Sequence, residues 1–98
     1  MVASAVRRFG RLDIAFNNAG TGHFSPVQEY ALADFERIVG ICLTGTFLCI
    51  KHESRYLIGA GQGGSIINVA SLNALQATEG FAAYCSAKAG VAMLTKVA

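Results

Sequence analysis

Hydrophobic positions change their period four times along the chain, and each change marks an element. Met1 to Phe9 reads as the last turns of a helix, with Arg7 and Arg8 near the negative end of the helix dipole and Gly10 placed to end it. Leu12 to Asn17 is a short, mostly apolar run, which predicts a strand covered on both faces. Asn18 to Pro26 is rich in Gly, Ser, Thr and Asn and reads as loop. From about Ala31 to Ile58, Leu32, Phe35, Ile38, Val39, Cys42, Leu43, Thr46, Phe47 and Ile50 repeat at three- and four-residue steps, one stripe on a long helix. Gly40 and Gly45 weaken that helix by about 1 kcal/mol each relative to Ala, and close approach of another backbone is the expected compensation. Ser65 to Ala70 predicts a second apolar strand, Ser71 to Gly80 a loop, and Phe81 to Ala98 a final helix.

The order helix, strand, helix, strand, helix predicts an α/β fold built on a right-handed parallel βαβ unit. Two strands leave both sheet edges bare. The chain therefore reads as a slice of a doubly wound, Rossmann-type parallel sheet, a single partial domain over residues 1–98. It lacks the phosphate-binding strands on one side and later strands on the other.

Composition narrows the functional classes. Hydrophobic residues make up 53% of the chain and charged ones 14%, against about 25% in a typical soluble domain. Disorder is excluded by that balance. A net charge of +2 gives no electrostatic basis for binding nucleic acid or an acidic membrane. Ile38 to Ile50 is uncharged but too short to span a bilayer, and Leu57 to Ala77 is interrupted by polar residues. Without a basic segment leading into an apolar one at the start, the expected location is the cytoplasm. Cys42, Cys49 and Cys85 form no metal-ligand spacing, so no metal is expected, and each reads as a reduced, small buried hydrophobe.

One glycine-rich match misleads. Gly59 to Gly64 satisfies G-x-G-x-x-G, but a dinucleotide turn must follow a strand and open a helix. Here a helix precedes and a strand follows, the signature of an ordinary connecting loop.

Chemistry concentrates elsewhere. Tyr84 and Lys88 stand four residues apart on the last helix and share a face. Ser71 lies at the carboxyl tip of the second strand, and Asn17-Asn18-Ala19-Gly20 at the tip of the first. In open α/β sheets ligands bind beyond those tips. In this order, the N-N-A-G stretch, the G-G-S-I-I-N-V-A-S stretch ending at Ser71, and the Y-x-x-x-K pair thirteen residues further on resemble the short-chain dehydrogenases/reductases.

That resemblance implies an NAD(P)-dependent oxidoreductase interconverting a small-molecule alcohol and a carbonyl by hydride transfer. It implies that Tyr84 is the general acid/base and that Ser71 hydrogen-bonds the substrate oxygen. Lys88 would bind the nicotinamide ribose and favour the phenolate, and Asn18, Ala19 and Gly20 would border the adenosine side of NAD or NADP. To ionise near pH 7 a free phenol needs about 4 kcal/mol of help. An ammonium about 6 Å away at an effective dielectric of about 20 supplies roughly 2.8 kcal/mol, leaving the rest to the positive ring of an oxidised cofactor. The resemblance further implies a homo-oligomer formed through the long helix and the Tyr/Lys helix.

The sequence departs from the family's pattern at three places. The glycine-rich phosphate turn is absent, Cys42 stands where the family usually has an Asn before an L-x-G step, and the chain stops inside the Tyr/Lys helix. A thiol cannot replace that amide, although the backbone carbonyl at the same position can still hold a water. A catalytically inactive truncated fragment, or a self-associating non-enzymatic relic of that family, is the alternative reading. Among the remaining polar residues, His23 reads as a loop histidine, His52 as surface, Asp34, Glu36 and Arg37 as the wet helix face, and Asn68 as a partner for backbone groups in the sheet.

Overall fold

The computed structural model describes residues 1–18, 20–61, 63–71 and 76–97. The elements in chain order are α1 (Val2–Phe9), β1 (Ile14–Asn17), a 3₁₀ turn (Val27–Glu29), α2 (Leu32–Val39), a π-helical turn (Gly40–Thr44), α3 (Gly45–Ala60), β2 (Ser65–Asn68) and α4 (Ala82–Val97). The chain is α/β, with the predicted order of elements. α1 ends where Gly10 enters the left-handed region at φ 88° and its N–H returns to Val6 O.

β1 and β2 pair in parallel, with Ile14 opposite Ser65 and Asn17 opposite Asn68. Ser65 N donates to Asp13 O and Val69 N to Asn17 O, which extends the ladder at both ends. The α2–α3 segment is the crossover, and α3 and α4 both contact the strands. On that face lie Ala15, buried, and the half-buried Asn17, Ile66 and Asn68. The opposite face is open: Ile14 is 65% exposed, Phe16 61% and Ile67 47%. The expectation of strands covered on both sides therefore holds on one side only. Apolar strand residues encode two covering layers, and only the helical layer lies within these residues. The radius of gyration of 15.4 Å, against about 13 Å for a compact domain of roughly 100 residues, reflects the same open architecture.

The long helix predicted from Ala31 to Ile58 is instead two α-helices joined by a wide turn. Gly45 N–H reaches back five residues to Gly40 O, the π pattern. A Cβ on Gly45 would lie 3.3 Å from that same oxygen, whereas one on Gly40 would meet nothing within 4 Å. The two glycines thus bracket the wide turn and do not receive another backbone. Close approach occurs at Gly90 of α4, where a Cβ would come within 2.9 Å of Leu43 Cδ2.

The core sits between helices. Ile38, Cys42, Ala83 and Ala87 are fully buried, with Tyr30, Phe35, Val39, Leu43 and Tyr84 packed around them. Two alanines on α4 allow α2 and the π turn to come close, and burying Ile38 contributes about 1.5–3 kcal/mol. Among the described residues no helix is long and apolar enough to cross a membrane. Of the loop read at Gly59 to Gly64, Gly59 and Ala60 instead form the end of α3; Gly61, at φ 68°, caps that helix, and Gly63 and Gly64 precede β2, so the run joins a helix to a strand as expected.

Candidate active site

Both strands run toward the same end of the sheet, and the chain beyond each tip forms a wall of one cleft. Asn18, Gly20, Thr21 and Gly22 come from the loop after β1, Val69 from the residue after β2, and Tyr84 and Lys88 from the first half of α4. The cleft has a volume of about 320 Å³. A larger groove of about 620 Å³ lies along β2 and α3, but its lining, from Ile50 to Thr95, holds no titratable side chain. The titratable pair Tyr84 and Lys88 lines the smaller cleft.

Lys88 is 4% exposed, and its Nζ donates to Val69 O at 3.1 Å. The same ammonium lies 5.7 Å from the centre of the Tyr84 ring, so the i, i+4 spacing does bring the pair together. Gly20 forms a close cradle, since a Cβ there would stand 3.3 Å from Lys88 Nζ and 3.6 Å from Cys42 Sγ. A Cβ on Gly22 would touch the Tyr84 ring at 3.6 Å. Glycine at both positions lets the loop backbone approach the phenol and the ammonium directly.

The loop is fastened at its far end as well. Ser25 N donates to Gly80 O at 2.8 Å, Ser25 bridges to Phe81, and the rings of Phe24 and Phe81 meet edge to face at 5.7 Å. Gly80, at φ 85°, sits directly beneath the Phe24 ring, so a side chain there would be strained and would displace the ring. These contacts fix where α4 begins, and hence where Tyr84 projects.

Of the residues singled out from sequence, Asn18, Gly20, Tyr84 and Lys88 share this cleft. Ser71 is half-buried, two residues beyond Val69, and is not among the described residues lining the cleft. Ala19 lies outside the described residues. Sequence reasoning passed over Thr21, Gly22 and Val69, although the second glycine of G-T-G after Asn18-Ala19 was a visible signal. His23 is exposed, with its ring edge-on to Tyr30 and its Nε2 3.7 Å from Asp34 Oδ2. Tyr30 OH donates to His23 O at 2.8 Å, and burial together with the Asp34 carboxylate pushes the Tyr30 phenol up, partly opposed by Arg37.

Cys42, Cys49 and Cys85 are free thiols, but only Cys42 is fully buried. Thr21 N donates to its sulfur at 3.4 Å, and the sulfur donates to Thr21 O at 3.2 Å. The Cys42 carbonyl accepts Thr46 Oγ1 at 2.8 Å.

Asn68 departs from expectation. Asn17 Nδ2 donates to Asn68 Oδ1 and to Glu53 Oε1, both at 2.9 Å, and Asn68 Nδ2 donates to Thr95 Oγ1 at 3.0 Å. Side chains, not backbone, satisfy it. Glu53 is 2% exposed, a buried carboxylate where sequence indicated only a solvated stretch around His52, which is itself exposed.

A parallel sheet with a Tyr/Lys helix facing its carboxyl end matches one group of proteins in both sequence and structure. The family described as short chain dehydrogenase matches residues 1–98, and the chain belongs to it. An uncharacterized oxidoreductase of Bacillus subtilis, YxjF, is 44% identical over 91 residues, which are 93% of this chain and 35% of that protein. D-threitol dehydrogenase of Mycolicibacterium smegmatis is 40% identical, covering 91% of this chain and 34% of its own length. Among solved structures, a short chain dehydrogenase from Mycobacterium smegmatis superposes with a TM-score of 0.96 at 34% identity, over 98% of this chain and 40% of the other. NAD+-bound xylitol dehydrogenase gives 0.93 at 41% identity, over 98% and 37%. The chain thus spans a little over one third of the length of the relatives it matches.

Proposed function

We propose that these residues form the catalytic segment of an NAD(P)-dependent oxidoreductase that interconverts a small alcohol and its carbonyl. The observation that carries this reading is the Tyr84–Lys88 pair in one cleft with the Asn18–Gly22 loop. Tyr84 would exchange a proton with the substrate oxygen, and Ser71 would donate a hydrogen bond to that oxygen. Lys88 holds a positive charge 5.7 Å from the centre of the phenol ring, where it attracts the negative charge left when the proton departs. Its buried ammonium, beside a glycine that leaves room for the loop backbone to pass close by, suits the hydroxyls of a ribose. Asn18, Ala19 and Gly20 would border the rest of the cofactor. When bound, the nicotinamide supplies the hydride donor or acceptor.

The fit covers the nicotinamide-ribose end. For the pyrophosphate, the G-x-G-x-x-G match offers no helix N-terminus, because it leads out of α3 into β2. Residues 1–98 therefore read as one partial cofactor-binding segment that carries the catalytic pair. Three free thiols suit a reducing, cytoplasmic setting. Exposed Phe47 and Leu48 on α3 and Met93 and Val97 on α4 support pairing of two copies through these helices.

The test is titration of the chain with NADH and, separately, NADPH, followed by cofactor fluorescence. Turnover is then assayed at 340 nm as reduction of NAD+ or NADP+ by D-threitol and by xylitol, the polyols named for two relatives. Binding of either cofactor that weakens in Lys88→Ala is the expected result. A folded chain that binds neither supports the inactive, self-associating alternative.

A further inference from the structure

We infer that Cys42 is a positioning residue whose thiol clamps the backbone of Thr21 and so sets how closely the Gly20 wall approaches Lys88. A thiol has one weak donor and a weak acceptor. Here both meet the same residue, with Thr21 N donating to the sulfur at 3.4 Å and the sulfur donating to Thr21 O at 3.2 Å. One side chain thereby serves both backbone groups of a loop residue, as a neighbouring strand would.

The clamp has a rigid base and a short lever. Cys42 is 0% exposed within the π turn, and its carbonyl is held by Thr46 Oγ1. Thr21 directly follows Gly20, whose Cβ position is 3.6 Å from the Cys42 sulfur and 3.3 Å from Lys88 Nζ. The space beside Gly20 is thus bounded by both the sulfur and the ammonium. Movement of Thr21 away from the thiol would open the cleft at its charged end. The bland reading, a small hydrophobe filling the core, explains the burial but not the paired contacts with Thr21.

Substitutions that separate hydrogen bonding from volume distinguish the two. Cys42→Ser keeps a donor and an acceptor in a smaller side chain; Cys42→Val keeps the bulk and loses both. Amide hydrogen exchange of Thr21, read by NMR on the 98-residue chain, is expected to be within about twofold of the parent in Cys42→Ser. In Cys42→Val it should be faster by about fivefold to tenfold. The Val91 amide, buried on α4, serves as the control for global stability. If valine unfolds the chain, Cys42→Ala, which cannot overfill the site, replaces it with the same expectation. Parent-like protection in the valine or alanine variant, or equal loss in serine and valine, overturns the clamp.

The consequence for cofactor rests on the proposed function. NADH or NADPH, whichever the parent binds, should bind several-fold more weakly to Cys42→Val than to Cys42→Ser. If the parent binds neither, the functional reading fails while Thr21 exchange still decides the clamp. Binding equal in both variants, with the exchange rates differing, would confine the clamp to the loop and refute its effect on the cleft.

Discussion

Lys88 Nζ donates to the carbonyl of Val69 at 3.1 Å, joining the Tyr/Lys helix to the residue just past β2. A strand tip thereby orients the one buried ammonium among the described residues, and the Lys88→Ala change removes charge and anchor together. In any form of the protein that turns over, Lys88→Ala is expected to abolish turnover and weaken cofactor binding at least tenfold. Lys88→Arg should not restore either, because a planar fork does not replace a compact ammonium in a packed cleft. Tyr84→Phe should cut turnover by about 10²–10⁴-fold, the usual worth of general acid/base catalysis, with cofactor affinity nearly unchanged. His52→Ala, on the exposed side of α3, should change neither. Steady-state kinetics and fluorescence titration check all four variants, and substantial turnover in Tyr84→Phe would remove the acid/base role.

Glu53 offers a stability prediction independent of activity. It is 2% exposed and accepts Asn17 Nδ2, whose amide also bonds Asn68, which in turn bonds Thr95. The network links α3, β1, β2 and α4. Removing the carboxylate in Glu53→Ala leaves a buried cavity and an Asn amide short of a partner, an expected loss of about 2–3 kcal/mol. Glu53→Gln keeps an acceptor oxygen of the same reach and should cost less than about 1 kcal/mol. Urea denaturation of the variants measures the difference, and an equal loss in Glu53→Gln, which keeps shape and acceptor, would show that the carboxylate's charge rather than an acceptor oxygen matters there.

Much of the architecture was written in the pattern of residues. Apolar runs at Leu12 to Asn17 and Ser65 to Ala70, with a helical stripe between them, specify the parallel βαβ unit, and Tyr84 and Lys88 are placed by simple helical spacing. The π turn was invisible because Cys42 and Leu43 keep the apolar step across it; only the Gly45–Gly40 geometry reveals the extra width. Glu53 was invisible for another reason. Its neighbours Lys51 and His52 are exposed, and its burial depends on Asn17 and Asn68, brought near only by tertiary folding. The role of Cys42 was likewise unreadable, since a thiol's partners across 21 residues leave no local trace.

Tyr30 gives the chain an alkaline limb. Burial and the Asp34 carboxylate raise its phenol above the ordinary value of 10.0, with Arg37 opposing. The unfolded chain therefore releases this proton at lower pH than the folded one. The associated stability is present in full below about pH 10 and is lost as pH rises through the folded value. Tyr30→Phe should flatten that part of the stability profile. It should also lower stability at neutral pH, by about 1 kcal/mol, through loss of the bond to His23 O. Denaturation midpoints between pH 8 and about 11 test this, and an unchanged alkaline slope in Tyr30→Phe would assign the limb to other groups.

The glycine run before β2 separates structural from cofactor-binding roles. Gly59 lies in the last turn of α3 with open space where a Cβ would be, so Gly59→Ala should stabilise the chain by about 0.5–1 kcal/mol. Gly64 is the opposite case. A Cβ there would stand 2.5 Å from the backbone oxygen of Asp13 and 2.7 Å from Leu57 Cδ2. That oxygen accepts the N–H of Ser65, the first rung between β1 and β2. Backbone cannot step aside as a side-chain tip can, so Gly64→Ala should cost about 2–3 kcal/mol and loosen the start of the sheet. Neither change should alter the intrinsic affinity for NADH or NADPH once the folded fraction is accounted for, because the run joins a helix to a strand at the end of the sheet away from Lys88. Weakened cofactor binding in a fully folded Gly59→Ala variant would mean that the G-x-G-x-x-G match holds phosphate after all.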